Sequence, residues 1–417
     1  MDSYFASVEQ QERPHLRGKP VAITPLPSDY TCAIAASYEA KAYGIKTGTK
    51  IYAAKRMCPN LSCVPARHDV YVRYHESIIA EIIKHTPINN ICSIDELSSR
   101  LPPTKRNITS ATKIAQNIKN GLCRNVGEAI KCSIGIAPNA LLAKIASDMN
   151  KPNGIMILQQ EDLPGPLLNL DLVDLPGIGA NMEKRLFRAN VRSIKDLWDI
   201  SPKQARKIWN SVQGERFWYW LHGHDFEAPE TRHTMIGHSR ILDPQLRAPD
   251  KARLMARSLL TKASFRMRRK NLFAGALSLS TRTTEGQRWD AKTRFPSAQD
   301  PFTFLHHLDK LWQAMLHNTS QKTALTYYKP LYFKKVSVVL YELSSEDQIC
   351  EDLFEMQEPE HILRAEKYAS LTKALDSLRK KYHKETVSLG VPPKTMAGYV
   401  GTKIAFSRVP EQEEFWS

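Results

Sequence analysis

Residues 235–343 carry the pattern that most restricts what this chain can become. An apolar strand pattern at 235–242 (MIGHSRIL) is followed by a helical period from Asp250 to Lys270. Over 273–283 (FAGALSLSTRT) apolar residues alternate with small or polar ones, the period-two signature of a strand with two unlike faces. A turn at Glu285-Gly286 leads to a strand over 287–295, then a helix over 301–317 and a closing strand over 333–343. The order β-α-β-β-α-β predicts a compact α+β unit with helices behind one sheet face and the other face open to a ligand.

The same segment concentrates the charge. It holds 19 basic and 7 acidic residues, a net +12 out of +16 for the whole chain. For a soluble basic protein the usual polyanionic partner is nucleic acid. The remainder bounds the class. With 417 residues, 42% hydrophobic and 24% charged, the chain is long enough for two to four globular domains. No window approaches the roughly eighteen apolar residues of a membrane span, and the N-terminus lacks a basic-then-apolar leader. Membrane and secreted classes are excluded, and a cytoplasmic location is expected. The seven cysteines are scattered without a CxxC pair, which argues for reduced thiols rather than a disulfide or zinc framework.

Upstream, 227–234 (EAPETRHT) is polar and aperiodic, a linker. Residues 160–226 are helix-rich, whereas 1–158 mix short strands with helices around a basic loop at 102–107. Beyond 344 the chain turns acidic and then carries an amphipathic helix from about Arg364 to Tyr382.

The sharpest local feature is Ser93-Ile94-Asp95-Glu96, two adjacent carboxylates at the edge of an expected hairpin. Carboxylate oxygens suit Mg²⁺, and a pair of such ions is the standard device of phosphoryl transfer. Alone, such a pair is more often solvated surface. It stands with others: Asp2 to Gln10 (DSYFASVEQ), Gly18 to Ala22 (GKPVA), Ser37 to Gly44 (SYEAKAYG), Ser133 to Ala137 (SIGIA), Lys144 to Gly154 (KIASDMNKPNG) and Leu175 to Gly179 (LPGIG).

In this order and spacing the set resembles the Y-family of translesion DNA polymerases over about residues 1–343. The resemblance implies a right-hand fold: palm 1–9 and 68–158, fingers 10–67, a helix-hairpin-helix thumb 159–226 and the βαββαβ unit 235–343 as little finger, followed by a tail 344–417. It implies error-prone addition of deoxynucleoside triphosphates to a primer–template 3′-OH, with two Mg²⁺ ions and within the SOS response to DNA damage. Asp95 and Glu96 match the catalytic metal ligands, and Met1 matches a position that gives its carbonyl. Phe5 matches the steric gate against a 2′-OH. Tyr38 and Lys41 match the fingers pair on the phosphates, with lysine where arginine is usual, and Lys151 matches the palm lysine. Gly177 and Gly179 match the thumb's phosphate-binding turn, with Lys184, Arg185 and Arg188 behind it. Arg240, Arg282 and Arg288, on expected strands, are candidate DNA contacts, and the helix-end cluster Arg266, Arg268, Arg269 and Lys270 is placed on the covered or solvated side. Small fingers residues Ala33, Ala35, Ala36 and Ala40 suggest a roomy nascent-pair pocket.

Two departures stand out. The family's first metal-binding aspartate immediately precedes the Met1 position, so a longer natural chain with an upstream start is expected, and Asp2 matches no metal ligand. Leu97-Ser98-Ser99-Arg100 also replaces the family's usual residues after the carboxylates. In the tail, Gln348 to Phe354 resembles the sliding-clamp peptide of bacterial polymerases, with Asp352, Leu353 and Phe354 the matching part. A monomer is expected. Two other classes remain open: a catalytically impaired relative serving as a repair scaffold, and a bare DNA-binding protein, which would leave the triphosphate-site residues without a role.

Overall fold

The computed structural model describes residues 1–226, 234–323, 331–348 and 359–382, with isolated positions beyond 386. Most of the expected linker, and Asp352, Leu353 and Phe354 of the expected clamp peptide, lie outside the described residues. The chain divides into two compact units, mainly Met1–Pro229 and Glu230–Thr402.

In the first unit, helix α1 (Tyr4–Glu12) buries Tyr4 and Val8, four residues apart and so on one face. Strand β1 (Val21–Thr24) is buried throughout, between antiparallel β2 (Ala35–Ala36) and parallel β3 (Ser62–Pro65). Helices α2 (Tyr38–Lys41) and α3 (Ile51–Met57) belong to the same region, whose core combines Ala22, Ala33, Ala36, Ala40 and Ala54 with Ile45 and Ile51. Of the four alanines expected to leave a roomy pocket, Ala33, Ala36 and Ala40 are core and do not line one, whereas Ala35 is half-buried.

Helices α4 (His68–Ile83) and α5 (Ile108–Asn125) follow, with a hairpin of β4 (Asn90–Ile91) and β5 (Leu97–Ser98) between them in sequence. Glu81, buried on α4, accepts from Lys84 at 2.7 Å, from His85 at 3.1 Å and from Asn125 of α5 at 3.0 Å. Strands β6 (Ile134–Ile136) and β7 (Ile155–Ile157) pair in parallel through helix α6 (Ala140–Met149). Gly135 marks their closest approach, because a Cβ there would lie 1.9 Å from the Ala143 carbonyl oxygen. Asn139 caps α6 by accepting from Leu142, and its amide donates to the Trp220 and His224 carbonyls at 2.7 and 3.0 Å. Helices α7 (Ala180–Arg188), α8 (Ile194–Asp199), α9 (Pro202–Trp209) and α10 (Val212–Leu221) complete this unit around Leu186, Ile194, Leu197, Phe217 and Leu221. Capping boxes at Ser193–Asp196 and Ser201–Gln204 set the starts of α8 and α9.

The second unit is a four-stranded antiparallel sheet in the order β10-β9-β11-β8, with β8 (Met235–Ile241), β9 (Leu272–Thr283), β10 (Arg288–Ala298) and β11 (Phe333–Ser345). Helices α11 (Pro249–Arg268) and α12 (Pro301–Thr323) give the order read from the sequence, with β10 running three residues further through a register shift after Arg294. One sheet face supplies Ile236, Leu277, Leu279, Val336, Val338 and Leu340 to a core shared with Met255, Leu259, Phe304, Leu308 and Trp312 of the helices. Helix α13 (Pro359–Tyr382) packs on this helical layer. Asp376 takes two hydrogen bonds from Arg268 at 2.6 and 2.8 Å, Tyr368 stacks on Phe302 at 4.9 Å, and Arg379 lies 4.6 Å over the Phe265 ring.

Candidate active site

Asp95 and Glu96 sit in the tight turn between β4 and β5, closed by the Cys92 and Ser93 amides donating to the Glu96 carbonyl at 2.9 and 3.1 Å. The Ser93 hydroxyl donates to Asp95 Oδ1 at 2.7 Å and accepts from the Asp95 amide at 3.3 Å. The Met1 ammonium donates to the Asp95 carbonyl, so the structure brings the three expected metal-site residues together.

Glu96 opens a run of alternating charge. Lys144 Nζ lies 2.6 Å from Glu96 and 3.0 Å from Asp148, and Lys151 lies 2.6 Å from Asp148. Lys144 and Asp148 are four apart on α6, the spacing that places two side chains on one helix face. Burial would lower the Lys144 pKa, but its bonds to Glu96 and Asp148 hold it above the usual lysine value. Burial likewise acts to raise Asp148, and Lys151 and Lys144 hold it below the usual carboxylate range.

Tyr38 and Lys41 project from α2, whose Ser37 cap accepts from the Ala40 amide. Lys41 Nζ lies 4.2 Å over the Tyr38 ring. Burial, helped by the Asp2 and Asp148 carboxylates, pushes the Tyr38 hydroxyl up to about 12. Burial and then the nearby Lys151 ammonium lower the Lys41 pKa, with Asp2 opposing them. Two lysines and a tyrosine hydroxyl from separate segments thus converge on one place, an arrangement suited to a polyanion such as a triphosphate.

Phe5, in the first turn of α1, is half-buried. Its ring stacks on buried Tyr71 at 4.2 Å with a 13° interplanar angle, and His68 meets it edge-on at 6.0 Å. Tyr71 is held in turn, its hydroxyl donating to Glu9 at 2.9 Å. Glu9 is fully buried and takes Arg67 in two bonds of 3.0 and 2.7 Å.

Gly177 and Gly179 are exposed, and a Cβ on either would meet nothing within 4 Å, so the backbone amides opening α7 are accessible to a phosphate. Gly177 has φ of 91°, the left-handed region that favours glycine. Lys184, Arg185 and Arg188 on α7 are exposed.

On the second unit's sheet the expected arginines separate. Arg282 and Arg288 are exposed and directly opposed across β9 and β10, and Lys335 of β11 faces Arg282 from the other side. Three cations therefore form one row on the open face, and among the described residues neither Arg282 nor Lys335 has a carboxylate partner. Opposed like charges destabilise a sheet unless an anion offsets them. Arg240 is corrected. It shares a strand face with buried Ile236, its side chain is 13% exposed and it lies 4.0 Å from Asp243; burial depresses its pKa. The period of two turns it to the covered face. Of the helix-end cluster, Arg268 is committed to Asp376.

Asp2, Tyr71, Lys144, Asp148 and Lys335 carry no assignment from the sequence. The Lys144, Asp148, Lys151 spacing was a visible signal; the others depend on contacts between distant segments.

The Asp95 and Glu96 carboxylates are hard oxygen donors of the kind that suits Mg²⁺, which takes one or two protein carboxylates together with substrate phosphates, and Glu96 is paired here with Lys144. Among the described residues no group of three or more His, Cys, Asp or Glu side chains could by itself hold a metal ion. No described helix is long and apolar enough to cross a membrane.

The fold and site define a mixed α+β, multidomain scaffold. Models of the impB/mucB/samB family and of its C-terminal domain match residues 1–148 and 233–353. The chain belongs to this family, that of the Y-family DNA polymerases. A DNA polymerase IV of Pseudomonas paraeruginosa is 34% identical over 226 residues, 54% of this chain and 63% of that protein. One of Moorella thermoacetica is 36% identical over 198 residues, 47% and 49% of the two chains. The match thus spans about half to two thirds of these relatives. Among solved structures, a Y-family polymerase chimaera of Dbh and Dpo4 aligns over 82% of this chain and 97% of its own, with a TM-score of 0.66 at 20% identity. An insertion ternary complex of Dbh DNA polymerase aligns over 82% and 96%, with a TM-score of 0.53 at 22% identity. Both share the fold.

Proposed function

We propose that this chain is a template-directed DNA polymerase of the translesion type, extending a primer 3′-OH with deoxynucleoside triphosphates. The observation that carries it is the convergence of Tyr38, Lys41 and Lys151, with Lys151 joined to the Asp95–Glu96 turn through Asp148 and Lys144. Palm 1–9 and 68–158, fingers 10–67, thumb 159–226 and little finger 235–343 are the parts in this reading. The DNA polymerase IV relatives support the same activity.

Lys41 and Lys151 neutralise the triphosphate, and Tyr38, kept protonated, donates to it. Phe5 lies where a ring edge excludes a 2′-OH, its angle fixed by the Tyr71–Glu9–Arg67 stack. Asp95 and Glu96 would hold Mg²⁺, as two ions, which lower the pKa of the 3′-OH and offset charge on the phosphates. Gly177 and Gly179 grip the DNA backbone without reading sequence, and the Arg288–Arg282–Lys335 row adds phosphate contacts. A sliding clamp engaged through Asp352, Leu353 and Phe354, monomeric action, cytoplasmic location and a role in the SOS response belong to the same proposal.

Primer extension tests it. With Mg²⁺ and a defined template, the chain is expected to add the templated deoxynucleotide. DNA binding without templated addition would favour the scaffold.

A further inference from the structure

Asp2 is a carboxylate that neither the metal site nor the phosphate cations require, yet it is only 3% exposed. Its backbone is fixed at both ends, the amide donating to the Lys131 carbonyl at 2.9 Å and the carbonyl accepting from Ser7 Oγ at 2.7 Å. Its carboxylate accepts from Ser133 Oγ, 3.0 and 2.9 Å from its two oxygens, and from the Asn153 amide at 2.8 Å. The same carboxylate helps burial to raise the nearby Tyr38 hydroxyl. The donors come from two segments, the entry to β6 and the turn that carries Lys151. Asn153 has φ of 57°, so the turn holds an uncommon conformation just where the carboxylate grips it. Asp148 is ion-paired with Lys144 and Lys151, while the Asp2 carboxylate opposes the effect of Lys151 on Lys41.

We infer that Asp2 is a positioning residue for the triphosphate site, fastening the Lys151 turn to the start of α1 and the entry to β6, and so setting where Lys151 stands relative to Lys41. The inference rests on the polymerase reading above. By offsetting the repulsion between Lys41 and Lys151, the carboxylate preorganises two cations that would otherwise separate. Asparagine at this position keeps the shape but loses the charge and one of the two acceptor oxygens.

The test measures affinity for the templated deoxynucleotide on a complex of the full chain with a dideoxy-terminated primer–template, so that no turnover intervenes. Asp2→Asn is expected to weaken nucleotide binding about tenfold, the size of one charge-assisted hydrogen bond, with DNA affinity unchanged. Asp2→Asn combined with Ser133→Ala should lose less than the product of the single effects, since the two side chains share a hydrogen bond. Hydrogen exchange at the Asn153 amide should quicken in Asp2→Asn without DNA. Ser133→Ala, which removes one donor and keeps the carboxylate, should weaken nucleotide binding about two- to threefold and serves if Asp2→Asn does not fold. Unchanged nucleotide affinity in the folded variants would overturn the inference, as would equal losses of nucleotide and DNA affinity. A wild-type complex that binds no nucleotide would overturn the polymerase reading, and this inference with it; failure of the inference alone leaves wild-type affinity intact.

Discussion

At the scale of single residues, the half-exposed ring of Phe5 rests on Tyr71, and Tyr71 on Glu9 and Arg67. A gate that discriminates one oxygen atom needs that rigidity. Phe5→Ala is expected to raise ribonucleotide over deoxynucleotide incorporation by about tenfold or more, read as the ratio of kcat/KM values, with deoxynucleotide use largely kept. An unchanged ratio would return Phe5 to a packing role. Arg67→Ala removes two hydrogen bonds from the fully buried Glu9, which keeps Arg13 at 3.6 Å and the Tyr71 hydroxyl, and should cost about 2 kcal/mol, seen as a lower urea midpoint. Phe5, Tyr38, Lys41 and Lys151 were legible because each sits inside a contiguous motif. Tyr71 and Asp2 were not, because their partners lie far along the chain and no local pattern encodes such a contact.

Among the elements, Gly135 and Glu81 show what joins neighbours. A methyl at Gly135 meets the Ala143 carbonyl oxygen and the Ser147 amide, backbone atoms of α6 that cannot turn aside. Gly135→Ala should therefore destabilise the chain by about 1–3 kcal/mol, with urea unfolding as the measurement. Glu81 has its pKa depressed from 4.5 to about 2, chiefly by the Lys84 hydrogen bond and also by Asn125 and His85. Because the folded value is the lower one, its contribution is complete above pH 4.5 and is lost as pH falls toward 2. Glu81→Gln should flatten the fall of stability across that window, measured by thermal melting at stepped pH; an unchanged slope would contradict the assignment. The β-α-β-β-α-β order was legible because its strands are long enough to show a period. Strands of two residues, such as β2, β4 and β5, have none to show.

At the scale of the whole molecule, net charge foretold a polyanion partner but not which side chains face it. The alternation of β8 turns Arg240 inward, while pairing register brings in Lys335, which no strand pattern singled out. Replacing Arg282, Arg288 and Lys335 by alanine should reduce the log–log salt slope of duplex binding by up to about 2.7 units. Arg240→Ala should leave that slope unchanged; the reverse pattern would put the DNA face on the wrong side of the sheet. The central claim is that the Asp95–Glu96 turn is a catalytic centre. Single-nucleotide primer extension, comparing the wild-type chain with Asp95→Ala/Glu96→Ala at equal DNA occupancy, tests it most directly. The first should show Mg²⁺-dependent, templated addition and the second none. Extension at comparable rates by both would contradict it.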